Sequence, residues 1–460
     1  MRVISAAVAA FIAWSAALSA ADRVSYTAYA DARPTLEALR DVLPAELTAG
    51  DGRQIESQWA AWAGGHDRDI RARLVAGDED TIVNWLLLGT SFTGRPRAFL
   101  DVPASKAQEL SQLIGARAHD LVAALTASSN DERRLFARAF FAQKGFRLDV
   151  PVERLRLEQY LLAAVVRVGS EQARFTDELQ AVRRLGDQSE AFAARSKLFR
   201  ERGLSLDTSI QPSFALEQSL RELQKRGFIA AGGVRDVAVI GPGLDFSDKN
   251  SGYDFYPQQT LQPFALVDSL LRLGLADRSA SVRLTTLDLS PRVTDHLTRA
   301  RRRAGAGSAY TLRVPLDTSI SWKPDFLAYW NAVGNHIGTV AAAPADGVTP
   351  NLRVRTVAVR QELVSQLDAQ DLNVVVQHFA DRRFDIIVAT NVFVYYDLFD
   401  QALALSNVAS MLRPGGFLLS NNAIIEVPGS RLRSVGYLTT QYSDRADDGD
   451  HVVWYRRSAD

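Results

Sequence analysis

The chain changes its hydrophobic period once, near Gly203, and that change limits the folds open to it more than any other feature. From about Thr35 to Arg202, apolar residues recur at three- and four-residue steps. They do so in LEALRDVLPAEL, IESQWAAWAGG, EDTIVNWLLLGTSF, KAQELSQLIGARAHDLVAALTA, ERRLFARAFFAQKGF, VERLRLEQYLLAAVVRVG and SEAFAARSKLFRERG. This is the spacing of helices that bury one face. Strand-like alternation is nearly absent, so the stretch reads as all-α. Trp59, Trp62, Trp85, Phe140, Phe141 and Tyr160 fall on the stripes, where aromatics pack a core in preference to caging a ligand. No motif returns at a fixed period, which argues against a solenoid.

After Gly203 short apolar runs alternate with helical patterns. The runs are VRDVAVIG (234–241), SVRLTTLDL (281–289), LRVRTVAV (352–359), RFDIIVAT (383–390) and GFLLSNNAII (416–425). Near-continuous Val, Ile and Leu in strands separated by helices predict a mostly parallel sheet covered on both faces. SRLRSVGYLTTQYSD and HVVWYRRSA flank the turn-former RADDGD and predict a closing antiparallel hairpin. A chain of 460 residues has room for two larger domains. The expected division is an all-helical domain over 22–203 and an α/β domain over 204–460.

The first residues, MRVISAAVAAFIAWSAALSAADR, set one Arg before an apolar run and close on small residues, the order of a secretory signal peptide over 1–21. The run is also at the lower limit for an uncleaved membrane anchor. Either reading predicts an exported (periplasmic or secreted) or N-terminally anchored protein. A later true start predicts a cytoplasmic one. No later segment is apolar enough to span a membrane.

Composition removes several chemistries. With 53 basic and 53 acidic side chains the chain lacks the net positive field of a general nucleic-acid binder. The absence of Cys excludes disulfides, thiolate metal sites and a cysteine nucleophile. The six His form no HxxxH or HExxH spacing, so no metal site is expected. GTSFTG (89–94) lacks the geometry of a nucleophile elbow. No residue stands out as a catalytic acid, base or nucleophile.

What remains points to a nucleotide-type ligand. VAVIGPGLDFSDK ends a hydrophobic strand in Gly241-Pro242-Gly243, where glycine lets backbone amides approach an adenosine-type ligand. A dinucleotide fingerprint calls for Gly or Ala at position 246, where this chain has Phe246. Asp288 ends the next strand, in TTLDLSPR, and a carboxylate there can accept both ribose hydroxyls. A helix-capping Asp is the competing reading, but Ser290 is better placed to cap the helix that begins at Pro291. The connection Asp245 to Phe264 is long for a strand-to-helix loop and brings Asp245, Asp248, Lys249, Tyr253, Asp254 and Tyr256 to the carboxyl edge.

RFDIIVATNVFVYYD followed by MLRPGGFLLSNN resembles class I S-adenosylmethionine-dependent methyltransferases, and the Asn-Val-hydrophobic-Tyr stretch looks like the CheR-like protein methyltransferases. The resemblance runs from about Leu206 to Asp460. It implies a Rossmann-like methyltransferase domain binding S-adenosylmethionine, with Gly241, Pro242, Gly243, Asp245 and Asp288 orienting the cofactor. It further implies that Asn391-Val392 lines the pocket and that Asp371 belongs to the adenine-contacting loop. The family's glycine motif commonly reads acidic-x-Gly-x-Gly-x-Gly, whereas here Ile240 precedes Gly241 and Leu244-Asp245 follows Gly243. An insertion between Tyr310 and Asn351, carrying Trp322, Tyr329 and Trp330, precedes the later strands.

Methyl transfer needs alignment and water exclusion more than acid or base, and Tyr253, Tyr256, Tyr395 and Tyr396 are candidates for covering the site or positioning the acceptor. Packing is the equal alternative for each. The acceptor, a protein side chain or a small molecule, is not legible. Two rival readings are an exported non-catalytic scaffold that retains the fold, and an NAD-type oxidoreductase, which Phe246 and the terminal hairpin disfavour.

Overall fold

The computed structural model of the protein describes residues 24–48, 51–100, 102–185, 209–247, 252–277, 282–341, 351–445 and 448–459. The expected targeting segment 1–21, the run SEAFAARSKLFRERG, Asp248 and Lys249 lie outside the described residues. Numbering helices of nine or more residues in chain order, the first part forms α1 (Tyr29–Ala38), α2 (Gly52–Ala72), α3 (Leu74–Leu88), α4 (Ala107–Thr126), α5 (Glu132–Gln143) and α6 (Pro151–Leu185). Asp51 starts α2 with a capping box shared with Gln54, and the Asp131 carboxylate caps α5 through the Arg134 amide. A short strand, β1 (Val24–Tyr26), precedes these helices. α3 to α6 pack on one another through Ile82, Trp85, Leu86, Leu121, Phe140, Phe141, Leu157 and Leu161.

The second part adds α7 (Gln211–Lys225), β2 (Asp236–Ile240), α8 (Gln262–Arg272), β3 (Arg283–Asp288), α9 (Pro291–Gly305), β4 (Tyr310–Asp317), α10 (Pro324–Ala332), β5 (Gly338–Ala341) and β6 (Leu352–Val359). It continues through β7 (Asp368–Asp371), β8 (Gln377–Phe379), β9 (Phe384–Ala389), α11 (Leu398–Met411), β10 (Leu412–Ser420), β11 (Leu432–Gln441) and β12 (Gly449–Arg457). Seven strands form one sheet in the order β7-β3-β2-β9-β10-β12-β11. The first five are mutually parallel, and β12 runs antiparallel between β10 and β11. This is the α/β, Rossmann-like methyltransferase arrangement with the reversed terminal hairpin.

One strand departs from expectation. LRVRTVAV does not enter the parallel sheet; as β6 it is the middle of a separate antiparallel sheet, β4-β6-β5. Its Leu352, Val357 and Val359 are buried while Arg353 is exposed, and a strand with one wet face suits an antiparallel sheet. The edge position it leaves is taken by β7, whose four residues DAQD lie half-buried or exposed and carry no apolar run that could reveal a strand.

Both faces of the parallel sheet are covered. Val237, Val239, Leu284, Ile386 and Val388 pack with α7, α8 and α9. Ala238, Ile240, Leu287, Ile387 and Ala389 point the other way and meet α11, together with Ala32 and Leu36 of α1 and Trp59, Ala63 and Ile70 of α2. The connection from β7 to β9 contains no helix, only β8, which pairs with β1. The amino-terminal helices therefore fill the place a crossover helix would take. Trp59 is 3% exposed, stacks on Trp62 at 4.9 Å and donates its indole N–H to the Thr27 carbonyl at 2.7 Å. Trp59→Ala is expected to cost about 3–5 kcal/mol, read by urea unfolding, and to lower the midpoint of both halves together, because the cavity opens between them.

Candidate cofactor site at the carboxyl edge of the sheet

From β2 the chain moves outward to β3 and β7 and then returns to β9 on the other side. The crevice outside the carboxyl ends of β2 and β9 is thus the switch point where open α/β sheets bind ligands. Gly241 and Gly243 follow β2 with φ of 61° and 67°, a region that side chains with a Cβ rarely occupy. A Cβ at Gly241 would lie 2.7 Å from the Val392 Cγ2. Val392 is held there by Asn391, which has φ 57° and is the only residue besides glycine with a positive φ among the described residues. The Asn391 amide donates to the Asn421 Oδ1 at 2.7 Å, and the Asn421 Nδ2 donates back to the Asn391 Oδ1 at 2.8 Å. The reciprocal pair ties the ends of β9 and β10 and stabilises a conformation that Asn tolerates better than most residues.

Asp288 stands at the tip of β3. One carboxylate oxygen accepts the Ser290 amide at 2.8 Å, so part of the capping alternative is real. The other, Oδ2, is buried and has no hydrogen-bond partner among the described residues. Burial pushes the carboxyl up to about 7, against the pull of the Ser290 and Gly243 amides. An unsatisfied buried acceptor beside a glycine turn fits a ligand that brings hydroxyl donors. Asp371, opposite Asp288 in the register, is more than half exposed and pairs with Arg71 of α2 at 2.8 Å. The neighbouring Asn373 is buried and donates to Asp67 of the same helix at 2.8 Å.

The long loop after β2 is built, not loose. The Asp245 amide bonds the Gln259 carbonyl at 2.7 Å, and the Asp245 carboxylate accepts the Tyr256 hydroxyl and the Gln259 Nε2 at 3.0 and 2.8 Å. Asp245 therefore closes the loop on itself. Tyr256 is buried there, and Tyr253 lies under the Arg97 guanidinium at 4.6 Å. Tyr396 is buried in the apolar layer beneath β9, where burial pushes its phenol up, and Tyr395 is half-buried at the margin of that layer. The structure thus gathers Gly241, Pro242, Gly243, Asp288, Asp371, Asn391 and Val392 at one edge and gives Asp245, Tyr253, Tyr256 and Tyr396 packing partners. Among the described residues no group of three or more His, Asp or Glu could hold a metal ion, and no helix is long and apolar enough to cross a membrane.

Residues 349–423 match the family model of the CheR methyltransferase SAM-binding domain. The matched stretch runs from just before β6 to just past β10 and includes Asn391, Val392 and Asn421, and S-adenosylmethionine is the cofactor that this match supports. No curated protein sequence matches the chain. Among solved structures, the N-methyltransferase NodS from Bradyrhizobium japonicum WM9 is 15% identical, covering 52% of this chain and 87% of its own, with a TM-score of 0.26. The glycopeptide N-methyltransferase MtfA is 13% identical over 54% of this chain and 96% of its own, TM-score 0.26. TrmN from Thermus thermophilus is 14% identical over 54% and 52%, TM-score 0.26. Scores this low leave the fold to be argued from the strand order itself.

The helical half supplies what sequence reasoning missed. Asp254 is 3% exposed and accepts hydrogen bonds from the Trp85 indole at 2.6 Å, the Thr90 amide and hydroxyl at 2.9 Å, and the Ser91 amide and hydroxyl at 3.0 and 2.6 Å. GTSFTG is therefore an anchor for the loop. Gly252 faces α3 with φ 68°, and a Cβ there would sit 2.3 Å from that of Leu88. The buried Arg133 donates to the Phe246 and Tyr256 carbonyls, and Arg292 pairs with Asp78 at 2.6 Å. Burial alone would raise the Asp254 carboxyl, yet the Ser91, Thr90 and Trp85 donors outweigh it and hold it below its ordinary value. Its contribution is present above the unfolded value of about 3.9 and is lost as pH falls through the lower folded value. Asp254→Ala is expected to cost about 3 kcal/mol at neutral pH in chemical unfolding, with the gap to wild type closing under acid.

Proposed function

We propose that the protein is a methyltransferase that passes the methyl group of S-adenosylmethionine to a nucleophile presented at the carboxyl edge of the sheet. The observation that carries this reading is the orphaned, buried Asp288 Oδ2 beside the Gly241-Pro242-Gly243 turn, on a strand order that places ligands there. Asp288 would accept the ribose hydroxyls. The glycine turn would admit the cofactor's amino-acid end, and Val392 would pack from above with Asn391 fixed by Asn421. Asp371, oriented by Arg71, would border the adenine side. When bound, the cofactor supplies an electrophilic methyl on a sulfonium, and displacement from it is in-line. What this chain adds is alignment and exclusion of water. The loop 252–260, anchored through Asp254, and the segment 393–396 wall the space where an acceptor would enter. The acceptor class, a protein side chain or a small molecule, belongs to this proposal as its open choice.

Ionisation of Asp288 makes the reading testable. Its folded value of about 7 lies above the unfolded value of about 3.9, so without ligand its ionisation costs stability as pH rises between the two. Ribose hydroxyl donors favour the carboxylate and reverse that cost. S-adenosylhomocysteine is therefore expected to bind about tenfold more tightly at pH 8 than at pH 6, with proton release visible in calorimetry run in buffers of different ionisation enthalpy. Asp288→Asn should weaken binding and flatten the pH dependence. Wild-type binding of NAD in place of S-adenosylhomocysteine, or no binding of either, defeats the proposal.

A further inference from the structure

The opposite edge of the same sheet holds a second cavity, about 440 Å³ in volume, lined in part by Asp31, His378, Arg383, Ser406, Ser410 and Arg431. Arg383 immediately precedes β9 and Arg431 immediately precedes β11. Arg457 ends β12 opposite Leu432 and donates to the Leu412 carbonyl at the start of β10. All three guanidinium groups thus collect at the amino edge. The six residues of β9, roughly 20 Å of strand at about 3.3 Å per residue, separate them from Asn391.

Among the described residues, none of the three arginines has a carboxylate within ion-pair distance, and the Nε of Arg457 is buried without a partner. Burial, then the nearby charges of Arg431 and Arg383, hold the Arg457 guanidinium below its ordinary value. Arg383 is steered by the Ala380 and Arg382 carbonyls, and Arg431 is exposed. Like charges gathered on one side of a cavity repel one another, and an anion between Arg383 and Arg431 offsets that repulsion. The other wall is different. His378 has a buried Nδ1 without a partner, and burial pushes its pKa down. Asp31 of α1 is the one carboxylate among the lining residues, and Ser406 and Ser410 also line the cavity, the Ser410 hydroxyl donating to the Asn407 carbonyl at 2.7 Å. A lone inorganic ion would leave most of the volume empty, since cavities of this size suit small organic molecules.

We propose that this cavity binds a small metabolite carrying an oxyanion group, held by Arg383 and Arg431, with a hydroxyl-bearing remainder facing Asp31, Ser406 and Ser410. The site is separate from the methyl-transfer site and does not rest on that reading. Phosphate and carboxylate share the required chemistry, and the two probes distinguish them.

The test is calorimetric titration of the full chain with ribose 5-phosphate and with gluconate at constant ionic strength. At least one is expected to bind saturably, at least tenfold more weakly to the Arg383→Gln/Arg431→Gln double variant and equally well to Asp288→Asn. The Arg383→Lys/Arg431→Lys variant keeps the charge and is expected to retain measurable binding, which separates a lost site from a misfolded one; a matching circular-dichroism melt checks the fold of each. No saturable binding of either probe to the wild-type chain overturns the proposal. So does binding that the Gln double variant keeps, or binding that is lost in Asp288→Asn, since the latter puts the anion at the carboxyl edge.

Discussion

A parallel sheet is stable only when both its faces are dry, and that requirement organises this molecule. The chain between β7 and β9 runs through the three-residue β8 and supplies no covering helix. The exposed area is taken over by α1 and α2, whose Ala32, Leu36, Trp59 and Ala63 share one apolar cluster with Ile240, Leu287 and Ile387. The helical part is thus partly a layer of the sheet domain. Burial of this kind contributes about 25 cal/mol per Å² of apolar surface, and here most of it is shared between distant parts of the chain.

The same contact sets the geometry of the cofactor edge. Once α2 lies against the sheet, Asp67 reaches the Tyr26 hydroxyl and the Asn373 amide, and Arg71 reaches Asp371 and the Leu289 carbonyl just after Asp288. α3 and α5 then meet the loop after β2 through Trp85, Arg133 and the Thr90-Ser91 turn. Charge-assisted bonds of this kind are strong when buried. They fix the loop before any ligand arrives, which is the form of preorganisation that a displacement reaction uses.

The sequence made the central strands legible because β2, β9 and the second half of β10 are buried on both sides and carry short, nearly unbroken apolar runs, while β3 keeps its leucines beside two buried threonines. The helices were legible for the parallel reason that each buries one stripe. β7 was not, since an edge strand of DAQD has no apolar pattern to display. LRVRTVAV was misplaced because its period fits a one-faced strand as well as a buried one, and only pairing partners decide between them. At the site, Asp288 and the glycine turn could be read locally, since their chemistry depends on position in one strand-turn unit. Asn421, Arg71 and Asp254 could not, because each acts across 30 to 300 residues of chain and nothing near them in sequence announces the partner. Asp245 and Tyr256 look like ligand groups in sequence and prove to bond each other.

The Thr27 hydroxyl donates to the Asn407 side chain at 2.8 Å across 380 residues, and β1 pairs with β8 over a similar span. On a ribosome, the amino-terminal strand and the helices that follow it are made long before their partners exist. Trp59 and its neighbours must then wait with apolar surface uncovered until β9 and α11 emerge. Long-range closure of this type folds slowly and leaves intermediates prone to aggregate. The order of synthesis thus keeps the apolar faces of α1 and α2 uncovered until the last part of the chain has been made.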